Sequence, residues 1–332
     1  MKMNKPKGQA APRQGKKPFN GQQPRYTNSG DDVKIGDRIV VTIKRIGING
    51  EGVGYYKRKA VFIDGALPEE VVKANVTKVE PTYLSAKLVD IEKKSPDRVK
   101  PPCPVYESCG GCQLQHMTYP AQLRAKEELV REAFNRYAKL ADLPLRPILG
   151  MDDPWGYRNK AQLQAGWANE QIITGLYSPG SHRLVDISGC PIQQPAINDV
   201  IARVKAILSR LHIQPYQERS RKGTVRTVAA RVSRQTGNVQ LTFITASDKL
   251  PEKDRLITAI RSELPNVTTI AHNINKADTP LVFGDETRVL WGEERLDRSS
   301  AAFASPYRRV PSSSLTPSRP SSCTMLPRKQ RL

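Results

Sequence analysis

Four of the five cysteines in the sequence have a spacing that is typical of a metal-binding site. Cys103, Cys109 and Cys112 fall within ten consecutive residues, and two glycines separate the second from the third. Glycine permits the tight backbone turns that bring two thiolates together and let amide groups point at sulfur. Cys190 lies between a glycine and a proline and can supply a fourth thiolate. In a cytosolic protein, clustered cysteines of this kind predict a metal ion or cluster rather than disulfides.

Three kinds of site are compatible with these four thiols: a thiol cluster without metal, a zinc site and an iron–sulfur cluster. Zinc sites with four cysteines usually combine two paired knuckles, and this chain has one such pair. The three-plus-one arrangement favours a 4Fe–4S cluster. His116, four residues after Cys112, is a further potential ligand, but four cysteines suffice, so we expect it to pack locally or contact RNA. Cys323 has no partner base nearby and is not a candidate nucleophile.

Composition indicates a soluble, cytoplasmic protein with room for two or three domains among its 332 residues. No apolar run approaches the length of a membrane span, and the polar N-terminus is not a secretory signal. The net charge is +21, but residues 1–30 and 298–332 each contribute seven basic residues and no acidic one. The mildly basic remainder leaves two interpretations open, a nucleic-acid partner and an ordinary basic surface.

Residues 32–92 have the pattern of a small β-barrel. Short apolar, β-rich runs recur about every ten residues, with glycine-containing turns between them. The runs are 39–43, 60–63, 70–74 and 85–89. Small barrels of this size often bind oligonucleotides, although a fold alone does not establish a function.

Residues 93–297 mix helical and strand patterns, which predicts an α+β domain. Apolar residues at helical spacing predict a helix over 119–140, with a core-facing stripe of Leu123, Val130, Ala133, Phe134 and Tyr137. Further helices are predicted at 196–211 and 251–263, and strands at 155–190, 225–246, 267–274 and 281–283.

Several motifs of this region resemble the iron–sulfur uracil-5-methyltransferases of large-subunit ribosomal RNA. They are C-P-x4-C-G-G-C-x-L-Q-H at 103–116, Tyr157-Arg158-Asn159-Lys160, the stretch 175–191 and IAHNIN at 270–275. The barrel region is similar to the TRAM domain of that family, an OB-like RNA-binding barrel. The resemblance covers residues 33–297.

This resemblance implies that Cys103, Cys109, Cys112 and Cys190 hold a 4Fe–4S cluster with a structural or RNA-contacting role. The family uses S-adenosylmethionine: a cysteine thiolate adds to uridine C6, C5 takes the methyl group, and a base removes the C5 proton. The implied partner is RNA, most specifically 23S rRNA, with no DNA and no membrane. Candidate RNA contacts are Tyr157, Arg158, Lys160, Tyr177 and His116.

The sequence departs from the family after residue 297. The family's doubly wound α/β methyltransferase domain is expected to be missing, together with its S-adenosylmethionine site, nucleophilic cysteine and base, so no catalytic residue is assigned and the chain alone is expected to be inactive. Residues 1–31 are expected to be a disordered basic leader. Residues 298–332 are expected to be an unstructured tail that arises from a frameshift near 297–300, because another reading frame permits a family-like peptide.

Two other classes of protein remain as alternatives. A non-catalytic RNA-binding protein with an iron–sulfur or zinc site has the same visible features. Radical methylthiotransferases also carry TRAM domains, but they need Cx3Cx2C, and this chain has Cx5Cx2C.

Overall fold

The computed structural model describes residues 33–168, 170–279 and 281–293, and the backbone of 299–300 and 303–304. The expected leader, 1–31, lies outside the described residues. So does the expected unstructured tail, 298–332, apart from the four residues whose backbone forms a strand pair, Ser299–Ser300 with Phe303–Ala304.

The first part of the chain is a closed five-stranded barrel. Its strands are β1 (Arg38–Ile46), β2 (Gly52–Tyr56), β3 (Lys59–Asp64), β4 (Val71–Val79) and β5 (Tyr83–Lys93). They follow the order β1-β2-β3-β5-β4, and only β3 and β5 run parallel. Alternate residues of β1 are buried, so Ile39, Val41 and Ile43 fill the barrel interior. The small barrel predicted for this region is therefore present, and the glycine-rich run supplies the additional strand β2.

Helix α1 (Tyr119–Ala133) continues into a π-helical turn at Phe134–Ala138. The prediction of its buried face was wrong. Ala121 and Ala125 pack against the barrel, whereas Phe134 is 42% and Tyr137 81% exposed. The first two turns of the helix meet the barrel through these small side chains, whereas its last turn reaches the barrel through the ion pair of Glu132 with Arg45, so the apolar residues of the last turns stay outside the core.

The second part of the chain is a seven-stranded sheet with two helices. Its strands are β6 (Lys160–Ala168), β7 (Gln171–Tyr177), β8 (Leu184–Asp186), β9 (Val225–Val232), β10 (Val239–Thr245), β11 (Val267–Ile274) and β12 (Glu286–Gly292). Their order is β12-β11-β10-β9-β6-β7-β8. The one parallel pair among these strands, β10 with β11, is joined through α3 (Lys253–Glu263). The remaining helix, α2 (Pro195–Arg210), follows β8.

The main core lies between this sheet and helices α2 and α3. The apolar stripe predicted for 196–211 is confirmed, since all its members are buried: Ile197, Val200, Ile201, Val204, Ile207, Leu208 and Leu211. The strand predicted at 281–283 is wrong. Asn275 Nδ2 donates to the carbonyl oxygens of Leu281 and Val282, and Asn273 Nδ2 donates to that of Gly284. These bonds hold the segment as a loop, and the strand begins at Glu286. Among the helices described, none is long and apolar enough to cross a membrane.

Candidate metal centre and nucleic-acid interface

One pocket is lined by all four candidate ligands, Cys103, Cys109, Cys112 and Cys190. The first three come from the cysteine loop, residues 103–116, which connects the barrel to α1, and the fourth precedes α2. All four are partly buried and none forms a disulfide. The fold thus brings together thiols that are separated by up to 87 positions in sequence.

Local hydrogen bonds fold the cysteine loop into consecutive turns. Tyr106 N donates to Cys103 O at 3.2 Å, and Cys109 N donates to Val105 O at 2.8 Å. Val105 and Cys109 also pack against the main core, which fixes the loop to the sheet. A Cβ on Gly111 would lie 3.4 Å from Cys109 Sγ, so glycine leaves space beside this sulfur.

The backbone of Cys190 is held by a side chain of α2. Cys190 N donates to Asn198 Oδ1 at 3.2 Å, and Asn198 Nδ2 donates to Cys190 O at 3.1 Å. Gln193 N donates to the same carbonyl oxygen at 3.1 Å. The fourth cysteine is therefore attached to a helix whose apolar face is part of the main core.

Burial raises the pKa of the Cys112 and Cys190 thiols, and the neighbouring cysteines raise it further. Arg158 lines the same pocket and opposes this effect at both thiols. A Gln115 hydrogen bond also opposes it at Cys112. Without a bound cation these two thiols are therefore protonated at neutral pH, and a metal that binds them must displace their protons.

The two kinds of metal centre that four thiols could hold differ in the spacing that they require of the sulfur atoms. Within the described ranges, no group of three or more His, Cys, Asp or Glu side chains is arranged so that it could hold a metal ion. Four sulfur atoms around one zinc would be about 3.8 Å apart, given a Zn–S bond of about 2.3 Å. In a 4Fe–4S cluster each thiolate binds a different iron, so the sulfur atoms lie further apart. Two buried amide oxygens on the pocket wall, Gln115 Oε1 and Gln193 Oε1, have no hydrogen-bond partner among the described residues.

His116 is buried, with 3% of its surface exposed. Its Nδ1 lies 2.6 Å from the Tyr106 hydroxyl, which also lies 2.7 Å from Gln113 O. Burial lowers the pKa of His116 to about 4, and the nearby Arg98 contributes. This burial favours local packing of His116, although the residue lines one of the two grooves described below, and its contact with RNA stays a prediction.

The cysteine loop separates two grooves. The barrel groove lies between β3 and β5 of the barrel, residues 98–101, the cysteine loop and the β7–β8 turn at 177–181. The helix groove lies between the cysteine loop, the start of α1 and residues 148–158. Both grooves reach Cys112, so a strand in either one would pass directly beside the cysteine pocket.

The remaining candidate RNA contacts divide between these surfaces. Tyr177 is 39% exposed in the barrel groove, whereas Tyr157 and Arg158 line the helix groove. Lys160 lies in neither groove wall: its ammonium is 5.7 Å from the Phe283 ring centre, and burial together with Arg231 lowers its pKa to about 8. The structure does not bring the four residues together on one face.

Sequence reasoning missed several residues of the site. Asn198 and Gln193 give no pattern signal, because their contacts with the cysteine pocket arise from the packing of α2. On the barrel, Phe62 and Lys87 line the barrel groove, and only their place in β-rich runs indicated an exposed sheet face.

Comparison with known proteins gives a consistent set of relatives. Residues 32–89 match the family model described as the TRAM domain. The chain is 49% identical over 263 residues to an uncharacterized RNA methyltransferase of Bacillus anthracis, covering 79% of this chain and 57% of that protein. Counterparts from Halalkalibacterium halodurans and Enterococcus faecalis are 48% and 46% identical and cover 80% of this chain. The chain thus spans 57–59% of the length of these curated relatives.

The fold is similar to that of the Pyrococcus abyssi tRNA (uracil-54, C5)-methyltransferase in complex with S-adenosyl-L-homocysteine. The TM-score is 0.56 at 22% identity, and the match covers 78% of this chain and 57% of that one. At this identity the likeness concerns the fold.

These matches overturn the expected fold class. The methyltransferase domain and the S-adenosylmethionine site were expected to be missing from an α+β chain. Instead, 78% of the chain shares the fold of a methyltransferase that was solved with S-adenosyl-L-homocysteine, and curated RNA methyltransferases match 79% of it. The expectation failed because it inferred an absence from the point where family-like sequence stops, and such a point carries no information about a protein's domains.

Proposed function

The chain carries a TRAM domain and is homologous to bacterial RNA methyltransferases, and we propose that it recognises RNA so that a methyl group can be transferred to it. The observation that carries the proposal is the position of the cysteine pocket, which lies between two grooves and beside an RNA-binding type of barrel. RNA in the barrel groove would touch the barrel and the cysteine loop at once.

The chemistry of the barrel groove suits a single RNA strand. Lys87, Lys94 and Lys100 on its walls can contact phosphates, and the aromatic rings of Phe62 and Tyr177 can stack on bases. Two acidic residues, Asp64 and Glu107, also line the groove, which leaves it mildly basic. In the helix groove, Tyr157 and Arg158 offer a second stacking and phosphate-binding pair. Lys160, in neither groove wall, is a further candidate cation.

For the metal centre we propose a 4Fe–4S cluster held by Cys103, Cys109, Cys112 and Cys190. Their common pocket supports the ligand set, and the single Cx2C pair in a three-plus-one arrangement favours the cluster over zinc. When bound, the cluster would rigidify the loop and present an iron–sulfur surface beside both grooves. Arg158 would face its net negative charge.

For the reaction we propose methylation of uridine at C5 in 23S rRNA, with S-adenosylmethionine as the methyl donor. The resemblance of the motifs at 103–116, 157–160 and 175–191 to rRNA uracil-5-methyltransferases supports the base and the RNA. We place the protein in the cytoplasm, with its substrate. No nucleophile or base is assigned, because the four described cysteines are proposed ligands and Cys323 lies outside the described residues.

The metal centre is tested by anaerobic purification of the full chain, followed by iron, sulfide and zinc analysis and visible spectroscopy. We expect about four irons and four sulfides per chain and a broad visible absorption. Serine at any of the four proposed ligands should lower the iron and sulfide contents and the visible absorption, whereas Cys323→Ser should lower none of them. One zinc per chain, lost in the same four variants, would replace the cluster by a zinc site.

The reaction is tested with labelled S-adenosylmethionine and unmodified 23S rRNA or tRNA transcripts. We expect 5-methyluridine in digested 23S rRNA and none in tRNA. Label in tRNA alone would overturn the proposed substrate. RNA binding that falls steeply with salt, without any methylated nucleoside, would favour a non-catalytic RNA-binding protein.

A further inference from the structure

A buried ion pair joins the barrel to the segment that leads into the cysteine loop. Glu70, in the turn before β4, has no exposed surface. Arg98 donates its Nε to Glu70 Oε1 at 2.5 Å and its Nη2 to Oε2 at 2.8 Å. The same Nη2 donates to Gly65 O at 2.6 Å. The planar guanidinium therefore contacts the barrel at a carboxylate and at a carbonyl group, in a geometry that a lysine cannot reproduce.

Each oxygen of the Glu70 carboxylate accepts two hydrogen bonds. Glu70 also accepts hydrogen bonds from Leu67 N at 2.9 Å and Ser95 N at 3.3 Å. Burial by itself would raise the pKa of Glu70, but the hydrogen bonds from Arg98, Leu67 and Ser95 hold it below its usual value. A buried charge with four donors fixes the position of each group that contacts it, because leaving any of them unpaired is costly.

The backbone around Arg98 is bound to the end of the cysteine loop and to the start of α1. Arg98 forms an isolated antiparallel bridge with Met117, and Val99 N donates to His116 O at 2.9 Å. Thr118 N donates to Asp97 O at 2.9 Å. The side chain of Arg98 is thus bound to the barrel, while the backbone of its segment is bound to the end of the cysteine loop and the start of α1.

This pair lies where the two walls of the barrel groove meet. Arg98 itself lines the groove, one wall of which is the barrel and the other the cysteine loop. The β1–β2 turn of the barrel also lies directly against the cysteine loop, since a Cβ on Gly50 would lie 2.7 Å from Gln113 Cβ. The apolar contact of Ile46 and Leu67 with Ala121 lies behind it.

We propose that Glu70 and Arg98 are positioning residues that set the width of the barrel groove, so that one RNA strand contacts both walls. The inference rests on the proposed RNA-binding function and adds the element that fixes its geometry. Two surfaces at a fixed separation bind one strand without a cost for ordering them. A looser joint should weaken the binding of RNA that is long enough to span both walls. The binding of RNA that contacts the barrel alone should not change.

The test compares a single-stranded RNA of about 5 nucleotides with one of about 15, of the same composition, against the full chain with its metal centre. Arg98→Lys keeps the charge and removes the two-pronged contact. The matched control is Arg124→Lys, whose ion pair with Asp97 is in the same region but has a largely exposed arginine. We expect Arg98→Lys to weaken binding of the long RNA about tenfold or more and binding of the short RNA less than about twofold. Arg124→Lys should change neither.

A second variant guards against a general loss of folding. Glu70→Leu combined with Arg98→Met replaces the pair by apolar groups, which is often tolerated in a core, and should reproduce the selective loss. Trypsin should also cleave after Lys94, a site that all three proteins share, faster in both variants than in the wild type. Equal losses for both RNAs, or no loss for the long one, would overturn the inference. If the wild type bound neither RNA, the proposed function would fail and take this inference with it, whereas wild-type binding that is insensitive to Arg98 leaves the function standing.

Discussion

Asn198 binds the backbone of Cys190 from both directions, with its side-chain oxygen on the amide and its side-chain nitrogen on the carbonyl group. A cysteine between glycine and proline has little secondary structure to hold it. Asn198 lies eight residues further along the chain, in α2, whose apolar face is part of the main core. Its side-chain amide therefore connects the fourth proposed ligand, Cys190, to that core.

This contact predicts that Asn198→Asp shortens the lifetime of the bound cluster. Aspartate keeps the acceptor for Cys190 N but turns a carboxylate oxygen towards Cys190 O, so one partly buried hydrogen bond becomes a repulsion that costs about 1–3 kcal/mol. We expect the visible absorption to decay in air about tenfold faster, which corresponds to about 1.4 kcal/mol. The neighbouring Asp199→Asn, which loses only an exposed pair with Arg203, is the control and should decay at the wild-type rate.

A second prediction concerns two glycines, Gly175 in β7 and Gly189 next to Cys190. A Cβ on Gly175 in β7 would lie 1.7 Å from the Val185 carbonyl oxygen of β8, whereas a Cβ on Gly189 meets nothing within 4 Å. Gly175→Ala must push β8 away and should lower the free energy of unfolding by about 3 kcal/mol, the upper end for overpacking. Gly189→Ala should stay within about 0.5 kcal/mol of the wild type. Urea unfolding followed by circular dichroism measures both, and equal effects would contradict the strand geometry.

A third prediction follows from the low pKa of His116, which is about 4 in the folded chain because the ring is buried. The unfolded chain binds a proton at His116 near pH 6.5. Between these values the unfolded state holds more protons, so stability present above about pH 6.5 is lost as the pH falls towards 4. The loss from this residue is about 1.4 kcal/mol per pH unit within the window.

The comparison that isolates this effect is the wild type against His116→Gln, by urea unfolding at pH 5, 6 and 7. The variant should have a shallower decline in stability between pH 6 and 5, whatever its stability at pH 7. Parallel curves for the two proteins would show that His116 is protonated in the folded state.

The sequence predicted those features that depend on local pattern. The apolar stripe of α2 follows from helical periodicity, and the four cysteines were grouped by the chemistry of their spacing; their role as ligands stays a prediction. The contacts of Glu70 with Arg98 and of Asn198 with Cys190 were not predictable, because each depends on how two distant elements pack. The stripe that includes Phe134 and Tyr137 was wrong for a related reason. Periodicity identifies a face of α1, but the alanines on another face fit the barrel more closely.

The last prediction concerns base stacking in the barrel groove. Tyr177 is exposed beside the cysteine loop, in edge-to-face contact with His182 at a ring separation of 6.0 Å. If a base of the bound RNA stacks on this ring, Tyr177→Ala should weaken binding of the longer RNA by about 1–3 kcal/mol, and Tyr177→Phe should retain most of the affinity because the ring remains. Trp167→Ala removes an equally exposed aromatic ring that lines neither groove, and should leave the affinity unchanged. The measurement is fluorescence anisotropy of labelled RNA at a fixed salt concentration. A similar loss in Tyr177→Ala and Trp167→Ala would indicate non-specific contact with exposed aromatic rings, and RNA would then have to be placed outside the barrel groove.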